Sequence, residues 1–354
     1  MIGFTLADRP KERLSPGELA IVLSHYDLGP IESITEFARG SQNTLKIGIV
    51  SSRGKFLLKR RQLQPPQRRQ LAYSHRLQAH LQEEGFPLPK LVPPPDSDIL
   101  VHQYGGHTYE LFEYARGQTY SKTLQETRDA GAMLAKFHRA VEGFEDPDPP
   151  SLEDYHDADS IRRALSSLYA TLSGHDSIAG QEADALELGQ ELFDAYEHCA
   201  RAIAGLNLRS WPTGVIHSDW HPGNMLFRNE QVIAVVDYDA VRLSQRILDV
   251  ANGTLQFSIY TGPRIEDWPD QVDDQRAEAF LEGYLDHNAL HPQERACLVY
   301  LMTEALIAES ILPIAATGRF GQYQGYRFLK MVRRKVSWLL ANAEQFTGSL
   351  IGLA

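Results

Sequence analysis

Asp219, Asn224 and Asp237 are the side chains of this sequence best suited to hold a hard cation. They lie in two runs, Val215-Ile216-His217-Ser218-Asp219-Trp220-His221-Pro222-Gly223-Asn224-Met225-Leu226-Phe227 and Val235-Val236-Asp237-Tyr238-Asp239. Carboxylate and amide oxygens are what Mg2+ prefers, and it completes its shell with phosphate oxygens and water. One of the two carboxylates would stay free to orient a substrate hydroxyl. His217 and His221 stand four apart, but the apolar run before them and Pro222-Gly223 after them argue against a helix, and so against a zinc pair. His217 is expected to support the loop by hydrogen bonding.

Such oxygens can work together only if strand ends hold them. Segments 214–216 and 232–236 read as short apolar strands flanking the Pro-Gly loop. Upstream, 14–26 predicts a helix capped by Ser15 with Pro16 at its first position. Strands are expected at 31–37, 44–50 and 55–60, the last two joined through Ser51-Ser52-Arg53-Gly54 as a hairpin. After Pro65-Pro66, 69–84 predicts a helix ended by Gly85, and further strands follow at 99–103 and 108–114. From Ser121 the pattern turns helical, through Ala140, over 160–172 and 182–206, and over most of 273–343 with a turn near 288–292. The acidic, proline-containing stretch 145–159 reads as a surface linker. Strands first and helices later predict an α+β fold. The expected division is a small antiparallel β-rich lobe, 1–113, and a larger, mostly helical lobe, 114–354, joined near 113–117.

Composition narrows the partners. The chain has 354 residues with 43% apolar and 23% charged side chains, a globular composition long enough for a large core. A formal charge of −11 disfavours nucleic acid and anionic membranes as partners. The most apolar stretch, 296–316, is interrupted by Glu304 and Glu309 and reads as a buried or amphipathic helix rather than a membrane span. Two cysteines far apart, Cys199 and Cys297, read as reduced thiols, and no signal peptide is evident, so a cytoplasmic location is expected.

The string His-x-Asp-x-His-Pro-x-Asn-x-Leu-Phe, 217–227, resembles the catalytic loop of the aminoglycoside phosphotransferase and choline kinase superfamily, within the protein-kinase-like fold, in its homoserine-kinase-like branch. Four further motifs follow the same order. Phe56-Leu57-Leu58-Lys59 is similar to the strand with the phosphate-binding lysine, and Leu134-Ala135-Lys136-Phe137-His138 to the helix after the joint. Asp237-Tyr238-Asp239 stands where the metal-binding Asp-Phe-Gly is found, and Asp249 matches the residue that braces the catalytic loop.

The resemblance implies an ATP- and Mg2+-dependent kinase that phosphorylates a hydroxyl of a small molecule, with an amino alcohol such as homoserine as acceptor. Asp219 would accept or orient the hydroxyl proton, while Asn224 and Asp237 would hold Mg2+. Lys59 would contact the α- and β-phosphates, with Gly40, Ser41 and Asn43 covering the nucleotide. Leu226 would floor the adenine, and backbone groups of Glu113 and Ala115 would read its edge.

The pattern departs in two places. Ser218 replaces a glycine common beside the aspartate. No Asp or Glu lies between Arg53 and Gln82, so the helix after the lysine strand lacks the usual glutamate, and Ser74 or His75 occupies its place. Lys59 must find another carboxylate, or the chain is a weakly active or inactive kinase-like binding protein. The eight Lys and Arg of 53–76 read as a solvated face, and Tyr323, Tyr326, Phe328 and Trp338 as packing.

Overall fold

A computed structural model describes residues 14–37, 44–95, 101–150, 152–174 and 178–351. These form two compact units. The smaller runs up to His75 and resumes over Pro89–Ala115; the larger comprises Arg76–Leu88 and Arg116 onward. The units thus differ from the expected 1–113 and 114–354 division chiefly in 76–88, the last part of one helix and the turn after it.

The smaller unit begins with α1 (Pro16–Ser24), where the Ser15 hydroxyl accepts from the Glu18 amide at 3.1 Å and Pro16 opens the first turn. Its sheet comprises β1 (Ile31–Phe37), β2 (Thr44–Ser51), β3 (Gly54–Arg61), then α2 (Pro65–Glu83), β4 (His102–Tyr104) and β5 (His107–Glu113). All neighbours pair antiparallel in the order β1-β2-β3-β5-β4. The helix expected to follow the two prolines instead starts on them, because proline's missing N–H costs nothing in a first turn.

Side-chain alternation gives this sheet two distinct faces. Phe56 and Leu58 of β3 and Tyr109 and Leu111 of β5 join Val22, Leu23 and Tyr26 in an apolar core. The intervening residues Lys59 and Arg61 of β3 and Glu110 and Phe112 of β5 face the other way, with Lys59 directly opposite Glu110 in the ladder.

The larger unit contains α3 (Leu124–Ala140), α4 (Asp159–Ser166), α5 (Leu168–Gly174), α6 (Glu182–Ala204), β6 (Gly214–Ile216), β7 (Met225–Arg228), β8 (Gln231–Val235), β9 (Arg242–Ser244), α7 (Ile247–Ser258), α8 (Asp274–Leu285), α9 (Pro292–Thr317), β10 (Arg319–Phe320), β11 (Tyr323–Gln324), α10 (Gly325–Ala341) and α11 (Ala343–Ile351). β6 pairs with β9 and β7 with β8, both antiparallel. α9 is long and apolar enough to cross a membrane, yet it packs against α6, α7 and α10 and most of its apolar window is buried.

α3 and α8 meet backbone to backbone. A Cβ on Gly131 would lie 1.9 Å from the Phe280 carbonyl oxygen, and one on Gly283 1.8 Å from that of Arg128. Only glycine permits that approach. α7 is absent from the sequence reading for a physical reason: every residue in it except Gln256 is buried, so it has no broad solvent-facing side to mark its period.

Two other expectations need correction. Stretch 145–159 is no free linker: His156 and Ala158 are buried, Asp154 pairs with Arg209 at 2.6 Å, and His156 pairs with Glu304 at 2.7 Å. The basic stretch is a solvated face only in part: Arg53, Lys55, Arg68, Arg69 and Arg76 are exposed, but Lys59, Arg60 and Arg61 are buried, with Arg60 against Glu18 at 3.2 Å and Arg61 against Glu110 at 2.5 Å. The aromatic set near the C-terminus is engaged in packing, with Phe328 stacked on Phe320 at 3.9 Å and Trp338 edge-on to Phe346.

Candidate active site

Asp219 lies on the turn that leaves β6. Ser218 has φ +64°, the left-handed region where a side chain is strained, which accounts for a preference for glycine there. The strained turn is anchored from beneath. Asp249 of α7 accepts from the backbone N–H groups of His217 and Ser218 at 2.6 and 2.7 Å. It also lies 3.2 Å from Nε2 of His138 on α3, whose Nδ1 lies 3.0 Å from the Tyr284 hydroxyl on α8. A carboxylate can only accept, so Nε2 carries the proton and, in the neutral ring, Nδ1 accepts from Tyr284. Three helices thereby converge on two peptide groups.

His217 supports the loop differently from the expected ring hydrogen bond. Its ring is fully buried among Phe137, Trp220 and Tyr238, at centroid distances of 5.8, 5.3 and 5.0 Å. Neither ring nitrogen has a hydrogen-bond partner among the described residues, and burial pushes the imidazole pKa down. A neutral ring wedges the turn while its backbone N–H makes the polar contact.

Asn224 and Asp237 come together through one hairpin. Met225 of β7 pairs with Val235 of β8, and the Val236 N–H donates to the Asn224 carbonyl at 2.9 Å. Both residues therefore stand at the same hairpin end, Asp237 at φ +70°. The Asn224 amide nitrogen donates to Asp219 Oδ2 at 2.8 Å and to its backbone oxygen at 3.0 Å, which leaves the Asn224 Oδ1 for a cation. One amide oxygen beside a carboxylate fits a hard divalent cation that takes the rest of its shell from phosphate and water.

The charge state of Asp219 is set by its neighbours. Burial raises its pKa, but the hydrogen bond and positive charge of His221, with the Asn224 amide, outweigh it and hold the carboxyl below its ordinary value. His221 Nε2 lies 3.5 Å from Asp219 Oδ1, and its Nδ1 accepts from the Gly223 N–H at 3.0 Å. For His221, burial lowers the pKa, but Asp219, Glu309 and Asp237 together raise it.

Within the smaller unit, Lys59 lies across the ladder from a carboxylate whose ion pairs are made to other side chains. Glu110, directly opposite it on β5, is almost fully buried and receives Arg61 Nε at 2.5 Å and His75 Nε2 at 2.8 Å. Burial pushes Glu110 up, yet the His75 hydrogen bond and the charges of Arg61, Lys59 and His75 hold its pKa down to about 2. The Lys59 ammonium also sits 5.0 Å from the Phe112 ring centroid. The adjacent strand thus places a carboxylate opposite Lys59, within reach of its charge, and His75, in the helix position where a glutamate was expected, donates to that carboxylate.

A model of the phosphotransferase enzyme family matches residues 33–297. This chain belongs to that family. The phosphotransferase is 25% identical over 299 residues to the homoserine kinase of Zymomonas mobilis, with 83% of this chain and 84% of that relative covered. It is 26% identical to the homoserine kinase of Polaromonas naphthalenivorans, over 79% of this chain and 81% of the relative. Among solved structures it resembles a spectinomycin phosphotransferase bound to ADP and spectinomycin, at TM-score 0.66 and 15% identity, over 94% of this chain and 100% of the other. It also resembles a microcompartment-associated aminopropanol kinase, at TM-score 0.65 and 15% identity, over 94% and 99%. The fold is the protein-kinase-like α+β fold, and the chain is an ATP-dependent phosphotransferase of small molecules.

The remaining expected residues of this phosphotransferase fall as follows. Leu226, half-buried on β7, lies against Gly117, where a Cβ would come within 2.7 Å of the Leu226 Cβ. Glu113 uses its N–H on the Lys90 carbonyl at 2.8 Å, so only its carbonyl remains for a ligand. Ala115 is the last residue of the smaller unit. Gly40, Ser41 and Asn43 lie outside the described residues. Sequence reasoning missed Glu110, His138 as the second support of Asp249, Tyr284 and Glu309. His138 was within a quoted motif and Tyr284 within a quoted helix, but Glu110 had no marker beyond its place in an apolar strand.

Proposed function

We propose that this phosphotransferase transfers the γ-phosphoryl group of ATP to the hydroxyl of a small amino alcohol, homoserine being the leading candidate, with Mg2+ as the metal. The observation that carries the reading is Asp219: a carboxylate kept ionised, tethered on one oxygen by Asn224 and approached on the other by His221. As the acceptor oxygen bonds to the γ-phosphorus, its proton passes to the Asp219 carboxylate and ADP leaves with the bridging oxygen. Asn224 and Asp237 would hold Mg2+, which neutralises phosphate charge when bound. Lys59, positioned by Glu110, would contact the α- and β-phosphates, Leu226 would lie beneath the adenine, and the Glu113 carbonyl with the Ala115 backbone would meet its edge. The protein's work is therefore positioning and charge neutralisation. Homoserine kinases among the relatives support the amino alcohol, and two free, buried cysteines fit a reducing cytoplasm.

Thermal unfolding with Mg·ATP, with EDTA as control, tests the nucleotide part. At 100 times its Kd a ligand stabilises by about 2.7 kcal/mol. Absence of any metal-dependent shift would overturn it. Phosphate transfer to homoserine, aminopropanol and choline then ranks the acceptors.

A further inference from the structure

Glu309 of α9 was first met as an interruption in an apolar run, and the catalytic assignment leaves it unused. It is partly exposed, and its carboxylate is held by two amides of α7: Gln256 Nε2 donates to Oε2, and Asn252 donates as well. Asp249, Asn252 and Gln256 follow one another at three- and four-residue spacing, so a single stripe of α7 braces the catalytic turn and grips Glu309.

Three observations argue for more than a helix-to-helix tie. First, the helix that grips Glu309 through Gln256 also braces the turn carrying Asp219 through Asp249, and the charge of Glu309 is felt by Asp219, which repels it, and by His221, which attracts it. A glutamine would join the helices without that repulsion. Second, Asn252 is 3% exposed, and its Oδ1 is buried without a hydrogen-bond partner among the described residues. Third, burial and then Asp219 push the Glu309 pKa up to about 7 against the pull of His221, so a further cation beside it would favour its charged form. An ammonium group offers three donors and a positive charge, which matches a carboxylate with a spare carbonyl oxygen next to it.

We propose that Glu309, with the Asn252 carbonyl oxygen, binds the protonated amino group of the acceptor and so selects hydroxyl compounds that carry a primary ammonium. The proposal rests on the reading of Asp219 as the residue facing the acceptor hydroxyl. It makes Glu309 a specificity-determining residue rather than a catalytic one.

The test compares the full chain with Glu309→Gln and Glu309→Asp. Calorimetric titration without nucleotide uses L-homoserine, 1-amino-2-propanol and, as a neutral counterpart, 1,2-propanediol; steady-state kinetics with Mg·ATP follow. Wild type should bind at least one amine more tightly than the diol. Glu309→Gln should weaken that amine at least tenfold in Kd and KM, leaving the diol and the KM for ATP within twofold. Glu309→Asp, which keeps the charge but retracts it, should fall between, and it decides the matter if the glutamine variant does not fold. Unchanged amine affinity in the variants, or no amine preference in wild type, overturns the proposal. Failure of phosphate transfer to every acceptor, with amine binding still lost in Glu309→Gln, would overturn the kinase reading and leave the ammonium site standing.

Discussion

The catalytic turn and the lysine cluster each hold a charge in place, and they do it by opposite means. In the turn, the Asp219 side chain is 41% exposed, and the support acts on the backbone: Asp249 grips two N–H groups and is itself backed by His138 and Tyr284. In the cluster, everything is side chain. Glu110 is 2% exposed at its side chain and is met by Arg61 and His75, with Lys59 across the ladder. Backbone anchoring fixes where a residue points while leaving it open to substrate. A buried charge network fixes a net potential, and its parts can be redistributed among strands and helices without changing the sum. That freedom allows a carboxylate that acts on a lysine to stand on the neighbouring strand rather than on a helix.

Cutting the turn should have the largest effect. Asp219→Ala removes the proposed proton acceptor, so kcat should fall by about 10²–10⁴-fold, the range of a general base, while Mg·ATP affinity stays within a few fold. Calorimetry and steady-state kinetics check both, and retained turnover would sink the role of Asp219. Asp249→Ala leaves the acceptor in place but frees the turn. It should cost about 3 kcal/mol of stability through orphaned buried N–H groups. kcat should also drop about 10²-fold, since small misplacements of reacting groups carry such penalties. If Asp249→Ala were stable but slow with an unchanged KM for ATP, anchoring of the turn would be isolated as the cause.

The same contrast decides what the amino-acid sequence could tell. The turn was legible because its members are contiguous: five short motifs in order pointed to β6, the β7–β8 hairpin and Asp249, and the expected strands of the smaller unit appear with bounds shifted by a few residues. Glu110 was not legible. Its partnership with Lys59 depends on the β3–β5 register across 51 positions, and no local spacing encodes that. α7 escaped because burial of nearly every residue leaves it without a broad solvent-facing side, and with it went Asn252 and Gln256. The basic stretch was misread at its buried members because their partners lie in distant segments: Arg60 pairs with Glu18 and Arg61 with Glu110. Charge runs say little until the partners are placed.

Breaking the cluster should show smaller effects and a characteristic pH signature. The folded-state pKa of Glu110, about 2, lies below the ordinary 4.5. Its stabilisation is therefore complete above pH 4.5 and is lost as pH falls toward 2. Glu110→Gln should cost about 3 kcal/mol at neutral pH, and urea unfolding across that acid range should show a flatter pH dependence than wild type. An equally steep acid limb in the variant would mean that other carboxylates govern it. Lys59→Ala should raise the KM for ATP about tenfold, worth about 1.4 kcal/mol, with kcat less affected. The double variant sharpens the point. If Glu110 acts on the nucleotide by holding Lys59, Glu110→Gln should raise the KM for ATP in wild type but hardly at all once Lys59 is gone, a coupling of about 1 kcal/mol. Strictly additive losses would mean that Glu110 only stabilises the sheet, and that Lys59 needs no carboxylate to do its work.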